Sequence, residues 1–228
     1  MLEQKIKALF LDYPDVLFGF AGIDYSPYAD QYPSALVFAV PYAGQLTLED
    51  YTEESFDRGI HAAKEQLEEI VQRLEAILRE STVRFWVPPV AQENETDLLA
   101  PFSFKFAAVN AGLGWIGKND VVITKRYGPR VRLSVILIDA VFEYGQPITR
   151  SECPEVCRVC VEICPCKALL DQSWTIESRR SEIIDYQRCN RMRSAFREKL
   201  GRKNACGLCM TVCPIGRSAP QCESSVPE

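Results

Sequence analysis

All ten cysteines of this 228-residue chain lie between Cys153 and Cys222, and they are the side chains best suited to chemistry. Eight of them form two runs with one intermediate position: Cys153, Cys157, Cys160 and Cys164, then Cys189, then Cys206, Cys209 and Cys213. The spacings are C-x3-C-x2-C-x3-C-P and C-x2-C-x3-C-P, so that Pro165 and Pro214 close the two runs. Closely spaced thiolates bind iron or zinc. The sequence therefore predicts metal centres in this region.

The two runs resemble the cysteine pattern of bacterial ferredoxins with two [4Fe–4S] clusters, in which the last cysteine of each run ligates the other cluster. This crossover predicts a first cluster held by Cys153, Cys157, Cys160 and Cys213. It predicts a second cluster held by Cys189, Cys206, Cys209 and Cys164. Cys153 departs from the usual pattern, because three residues rather than two separate it from Cys157.

Zinc is the alternative metal, since Cys-x2-Cys pairs also build zinc ribbons. Zinc sites usually combine two pairs of similar form and lack the Cys-Pro endings seen here. Cys166 and Cys222 belong to neither predicted cluster. Cys166 could replace a neighbouring ligand or be a small buried thiol, whereas Cys222 lies in a polar tail and is expected to have no role.

Composition limits the class of protein. Hydrophobic residues make up 47% and charged residues 25% of the chain, as in ordinary globular proteins. The net charge of −5 does not favour a chain that coats nucleic acid. No signal peptide or membrane-spanning stretch is evident, so we expect a cytoplasmic protein without structural disulfides. Because no cysteine precedes Cys153, we predict two domains, 1–150 and 151–228.

Hydrophobic patterns predict that helices and strands are mixed in the first domain. The predicted elements are strands at 35–40 and 83–87, a long helix at 52–80 and a helical segment at 102–110. Strands at 121–124 and 130–138 are expected to pair through the Gly128-Pro129 turn. Short helices are expected around 158–170 and 181–199.

Gly112, Gly114 and Gly117 have the spacing G-x-G-x-x-G. A dinucleotide-binding turn requires a strand before these glycines and a helix after them. The predicted order here is the reverse, which disfavours a nucleotide site. Two interpretations remain: a tight helix-to-strand turn, or a loop whose bare backbone approaches a flat cofactor.

The stretch AVNAGLGWIGKND at 108–120, the VPY at 40–42 and the two cysteine runs resemble the epoxyqueuosine reductase family, which is in turn similar to reductive dehalogenases. The resemblance implies an α+β chain with a nitroreductase-like α/β cobalamin-binding domain followed by a ferredoxin-like domain with two [4Fe–4S] clusters. It implies that electrons pass through the clusters to the cobalt of a corrinoid. The reduced cobalt would then reduce an epoxide on a modified tRNA base.

The resemblance also implies which residues contact the cofactor. The glycine loop would lie against the corrin ring, and Trp115, Lys118 and Asn119 would shape the pocket or reach the corrin's amide groups. The alternatives are core packing for Trp115 and solvated side chains for the other two. His61 resembles a histidine of the family and would line the pocket, although a lone helix histidine often has no such role.

The proton donor of the family is an aspartate in an Asp-x-Gly-Pro segment. Pro101 occupies the proline position here, but Leu98 occupies the aspartate position and Asp97 lies one residue earlier. Asp97 is therefore the candidate catalytic acid, and a solvent-exposed loop acid is the alternative.

A basic segment at 188–203 contains seven lysine and arginine residues and one acid, Glu198. It could contact tRNA phosphates, an acidic electron donor or the cofactor's phosphate, or be a solvated helix face. Expected partners are an electron donor of ferredoxin or flavodoxin type, and tRNA or a corrinoid protein. The leading function is a corrinoid-linked oxidoreductase. The alternatives are an electron-transfer or reductive-activation protein that serves a partner without a corrinoid of its own, and a relic scaffold.

Overall fold

The structure, a computed structural model, describes residues 1–44, 47–90, 100–195 and 206–217. By packing, the chain divides into two units. The first unit contains Met1–Pro41, Ala63–Leu113 and Arg132–Ile148. The second unit contains Tyr42–Ala62, Gly114–Val131 and Thr149–Glu228. The contiguous domains 1–150 and 151–228 stay a prediction, because a division by packing does not test which segments fold alone.

A four-stranded sheet forms the centre of the first unit. Its strands are β1 (Leu17–Gly22), β2 (Ser34–Pro41), β3 (Phe85–Trp86) and β6 (Val131–Ile138). Their order is β1-β2-β6-β3, and β1 pairs antiparallel with β2. Residues 35–40 of β2 are completely buried, which is typical of a strand covered on both faces. The strand predicted at 35–40 is confirmed.

Three helices begin in the first 110 residues. They are α1 (Leu2–Phe10), α2 (Glu53–Glu80) and α3 (Phe104–Asn110). Within α2, Ala63, Ile70, Leu74 and Leu78 are buried at steps of seven and four residues, as the predicted amphipathic helix requires. Ser103 caps α3 by accepting a hydrogen bond from the Phe106 backbone. None of the described helices has the length and apolarity needed to cross a membrane.

The predicted pairing of 121–124 with 130–138 is wrong. Strand β5 (Val122–Ile123) instead pairs with β4 (Trp115–Ile116) in a separate two-stranded sheet. Reciprocal backbone hydrogen bonds between Thr124 and Gly128 close the turn after β5, and β6 begins beyond this turn without pairing with β5. Residues 135–138 of β6 are completely buried. They therefore require a place inside the larger sheet, where β6 pairs with β3.

The described residues of the cysteine-rich part form four short helices. They are α4 (Val159–Ile163), α5 (Arg180–Ile183), α6 (Tyr186–Ser194) and α7 (Leu208–Thr211). They are shorter than the helices predicted at 158–170 and 181–199, of which 196–199 lie outside the described residues. Helix α4 stops because Cys164 precedes a proline and adopts an extended conformation. Extended Ile184, which bridges to Leu169, separates α5 from α6.

Candidate metal centres and the loop beside them

The nine cysteines that the structure describes are all free thiols. Three of them lie on helices of the second unit: Cys160 on α4, Cys189 on α6 and Cys209 on α7. Helices α4 and α7 pack against each other. Cys222 lies outside the described residues.

The four cysteines predicted for the first cluster interact electrostatically. Burial, followed by the charges of Cys213, Cys153 and Cys157, raises the pKa of Cys160 to about 12. Burial also raises the pKa of Cys213 to about 11, with smaller contributions from Cys153 and Cys157. Cys213 of the second run is therefore close enough to the first three cysteines of the first run for their charges to interact. This arrangement is compatible with the predicted ligand set, which stays a prediction.

The cysteines predicted for the second cluster interact in the same way. Burial raises the pKa of Cys209 far above its ordinary value, and four more cysteines add to this effect: Cys206, Cys160, Cys189 and Cys164. Cys189 is in turn influenced by Cys206 and Cys164. Because Cys209 also interacts with Cys160, the two predicted ligand sets adjoin each other.

Cys166 lies beside a predicted ligand. Its Sγ atom is 3.8 Å from that of Cys164, so the possibility that it replaces Cys164 stays open.

Within the four described ranges, no three His, Cys, Asp or Glu side chains are close enough to share one metal ion. The sulfur ligands of one tetrahedral zinc ion lie about 3.8 Å apart, as follows from a Zn–S bond of about 2.3 Å. The ligands of a four-iron cube stand farther apart, because the cube lies between them.

The loop after the glycines contacts both cysteine runs. Lys118 and Asn119 are only 4% and 3% exposed, so the alternative of solvated side chains is wrong. Lys118 Nζ donates to the Glu155 carbonyl oxygen at 2.8 Å and to Asp171 Oδ1 at 3.0 Å. Asn119 Nδ2 donates to the Cys209 carbonyl oxygen at 3.2 Å. These contacts hold one loop of each run in place.

The three glycines pack against the protein itself. A methyl group on Gly114 would overlap the Ile123 carbonyl oxygen, and one on Gly117 would overlap the Ile123 side chain. Gly112, in the first unit with φ +72°, would place a Cβ 2.7 Å from the Gln146 carbonyl oxygen. Helix α3 precedes the glycines and strand β5 follows them, as expected from the sequence, while β4 lies between Gly114 and Gly117. This order lacks the context of a nucleotide-binding turn. A tight turn therefore explains these glycines without a cofactor.

Several buried polar atoms of the second unit nevertheless have no hydrogen-bond partner among the described residues, among them Trp115 Nε1, Asn119 Oδ1, Asn190 Oδ1 and Thr211 Oγ1. Buried polar atoms are nearly always hydrogen-bonded, and the exceptions require an explanation such as a bound group. Trp115 is 3% exposed, which agrees with the alternative that its side chain packs in the core. Trp115 and Asn119, which are both predicted cofactor contacts, thus each have a polar atom available to a ligand.

A cavity of about 180 Å³ lies within the second unit. Its lining consists of Tyr42, Ala43, Gly44, Asp50, Ser55, Phe56, Gly59, Arg130 and Thr211. Thr211 follows Cys209 by two positions, so the cavity adjoins the second cysteine run. Sites for drug-sized ligands measure about 300–1,000 Å³, and this cavity could therefore admit only part of a larger molecule. His61 is half-buried on α2, two residues beyond Gly59.

Two other predicted sites are only partly described. Asp97 lies outside the described residues, and so does the basic segment from residue 196 onward. Within α6, Arg193 donates to the Tyr186 hydroxyl at 3.1 Å, and Arg191 is exposed. The guanidinium of Arg180 lies over the Tyr186 ring, 3.3 Å from its centroid.

Arg130 is a site residue that the sequence reasoning missed. It is 7% exposed, and its guanidinium donates to the carbonyl oxygens of Met210, Cys213 and Ile215. Burial, followed by the charge of Arg217, lowers the pKa of Arg130 to about 10, which leaves it protonated at neutral pH. The sequence shows only that Arg130 follows Pro129. A solvent-exposed arginine is as common at such a position as a buried one.

No protein-family model matches the chain. A curated relative from Bacillus anthracis, named epoxyqueuosine reductase, is 31% identical over 149 residues. The match covers 65% of this chain but 37% of that relative, so the matched part spans well under half of the relative's length.

Solved structures show the same similarity in fold. A crystal structure of epoxyqueuosine reductase with an epoxyqueuosine-modified tRNA-Tyr stem loop has a TM-score of 0.60 and 20% identity, covering 95% of this chain and 66% of that one. A reductive dehalogenase described with a mechanism for B12-dependent dehalogenation has a TM-score of 0.63 and 19% identity, covering 93% of this chain and 31% of that one. The predicted resemblance to these two groups is confirmed. The assignment of nitroreductase-like and ferredoxin-like parts stays a prediction.

Proposed function

We propose that this chain, as a relative of the epoxyqueuosine reductases, is an oxidoreductase in which two [4Fe–4S] clusters pass electrons to a corrinoid that reduces a substrate. One observation carries the proposal: the last cysteine of each run interacts electrostatically with cysteines of the other. Cys213 interacts with Cys153 and Cys157, and Cys164 interacts with Cys206 and Cys189. These interactions are compatible with the crossover that two ferredoxin-type clusters require.

The chain's own residues are suited to holding such clusters. Cys164 and Cys213 are buried and the other described cysteines are half-buried. Lys118 and Asn119 fix the loops that carry the cysteines. Clusters whose four corners are all cysteine have no open coordination position, so their function is to transfer single electrons. The two ligand sets adjoin through Cys209 and Cys160, which supports electron transfer from one cluster to the other.

The fit to a corrinoid rests on the unpartnered polar atoms. Thr211 Oγ1 on the cavity wall, together with Trp115 Nε1 and Asn119 Oδ1, could hydrogen-bond the amide groups at the edge of the ring. Tyr42 and Phe56 supply aromatic surface to the same cavity. When bound, the corrinoid would supply a low-valent cobalt able to reduce the substrate. The contacts predicted for Gly112, Gly114, Gly117, Lys118 and His61 remain part of this proposal.

The substrate and partners are proposed from the relatives. We infer an epoxide on a modified tRNA base as the candidate substrate, because a structural relative is named as binding an epoxyqueuosine-modified tRNA stem loop. Asp97 remains the candidate proton donor. Arg188, Arg191 and Arg193 on α6, which contains no acid, could contact tRNA phosphates or an acidic electron donor of ferredoxin or flavodoxin type.

A second candidate is an electron-transfer or reductive-activation protein that serves a cofactor on a partner. Two observations favour it. The cavity of about 180 Å³ is small, and the space beside Gly114 and Gly117 is filled by the protein. Adding cob(II)alamin to the cluster-loaded protein separates the two functions. The proposed function predicts a change in the cobalamin absorption spectrum, and no change at high protein concentration favours the second candidate.

The clusters are tested by anaerobic reconstitution of the full chain, with iron and sulfide analysis and visible absorption spectra. Cys209→Ala should reduce the iron content towards half, because one predicted cluster loses a ligand. Cys166→Ala is the matched control and should retain full iron, because Cys166 belongs to neither predicted set. Colourless wild-type protein, or full iron in Cys209→Ala, would refute the ligand assignment.

A further inference from the structure

Arg130 places a buried positive charge against the second cysteine run. Its Nη1 atom donates to the carbonyl oxygens of Cys213 at 2.9 Å and Met210 at 3.3 Å, and its Nη2 donates to Ile215 at 2.6 Å. These acceptors, which are its hydrogen-bond partners among the described residues, are neutral carbonyls. Within the described ranges, its charge is therefore hydrogen-bonded to carbonyl dipoles and not to a carboxylate.

The charge of Arg130 acts on one of the two predicted ligand sets. Cys213 accepts hydrogen bonds at its carbonyl from Arg130 and, at 3.2 Å, from Arg217 Nε. In the other set the nearby cation is Arg193, which lies on α6 with Cys189 but is only half-buried, whereas Arg130 is buried. The two predicted clusters thus have different electrostatic surroundings.

We infer that Arg130 is a positioning residue that raises the reduction potential of the cluster held by Cys213 above that of the other cluster. The inference rests on the proposed function, because it requires both clusters. Reduction adds a negative charge to a cluster. A nearby fixed cation therefore stabilises the reduced form more than the oxidised form, and the effect is strong where water is excluded. An electron that enters either cluster would then settle on the one beside Arg130.

The test is a potentiometric titration of the reconstituted full chain, followed by electron paramagnetic resonance. Arg130→Met should move the midpoint of one cluster to a more negative potential and leave the other in place. We expect roughly a tenfold change in the oxidised-to-reduced ratio at fixed potential, which is about 59 mV for a one-electron couple. Arg130→Lys should stay close to wild type, because it keeps the charge.

Arg217→Gln is the matched control, since Arg217 donates to the same Cys213 carbonyl but is only half-buried. Its shift should be smaller because solvent screens its charge. In a Cys209→Ala background, where the cluster held by Cys213 is retained, Arg130→Met should produce the same shift.

The possible outcomes are distinct. Fully iron-loaded Arg130→Met with both midpoints unchanged, or with both shifted equally, overturns the inference. If Arg130→Met fails to take up iron, Arg130→Gln gives the same test while keeping one hydrogen-bond donor. Failure of the Met, Gln and Lys variants alike to take up iron would assign Arg130 a purely structural role and also overturn it. Iron-free wild-type protein would instead refute the proposed function itself.

Discussion

Substituting Gly114 by alanine tests whether the glycine loop exists for packing or for a cofactor. The new methyl group would overlap the Ile123 carbonyl oxygen and lie 3.2 Å from Thr124 Cα. Both atoms are backbone, so no side-chain rotation relieves the clash, and β4 and β5 must separate. Overpacking costs about 1–3 kcal/mol and a weakened hydrogen bond about 0.5–1.5 kcal/mol. We therefore expect a loss of about 2–4 kcal/mol, or about 5–15 °C in melting temperature for a chain of this size.

Gly59→Ala is the matched control. A Cβ at Gly59 would have Tyr42 Cβ as its nearest neighbour, at an ordinary 3.8 Å. Gly59 lies inside α2, where alanine is favoured over glycine by about 0.5–1 kcal/mol. This variant should therefore melt slightly higher than wild type. The assay is thermal unfolding of the reconstituted proteins under anaerobic conditions, followed by far-ultraviolet circular dichroism.

If Gly114→Ala has the same melting temperature as wild type, the packing explanation is refuted. If such a protein also lost its response to cob(II)alamin, the glycine would be required by the cofactor. A loss of stability would explain the G-x-G-x-x-G spacing by the turn alone.

Two further predictions concern polar groups near the cysteines. Lys118→Met should lower the free energy of unfolding by about 2–3 kcal/mol in urea titrations, because Asp171 loses a buried partner but keeps Arg158. Lys118→Met combined with Asp171→Asn should cost less than the sum of the two, and simple additivity would contradict this pairing. Thr211→Val should leave the melting temperature unchanged or raise it, since the hydroxyl it removes has no described partner. The same variant should bind cob(II)alamin more weakly than wild type, and equal affinity in a spectral titration would exclude a ligand contact at Thr211.

Local patterns were sufficient for the elements that are stabilised by their own hydrophobic periodicity. Strand β2 and helix α2 carry a continuous apolar run and a repeated apolar face, and both were predicted close to their observed bounds. The β4–β5 hairpin was not predicted, because strands of two residues contain no period to detect. The partner of β6 depends on burial between distant segments, so the Gly128-Pro129 turn gave a misleading indication of pairing.

The burial of charged residues at the candidate site also could not be predicted from local patterns. Cysteine spacing predicts which thiols could act together, because three ligands of each predicted set lie close together in the chain or follow a recurring pattern. The burial of Lys118 and Arg130 could not be predicted, since each depends on carbonyl groups supplied by distant segments. A lysine or arginine in a sequence is normally expected at the surface, and only the fold reveals the exceptions.

The buried cations have a physical role that the net charge of −5 conceals. A cluster ligated by four thiolates is itself an anion, and two adjoining anions in a water-excluded region would repel each other strongly. Arg130 reaches the loop of Cys213, while Lys118 reaches the carbonyl of Glu155 between the first cysteines. Both come from the segment 114–131, which contains no cysteine. The cysteine runs alone therefore do not make the site: the glycine loop and its hairpin supply the positive charge and the hydrogen bonds that would allow two clusters to be buried side by side.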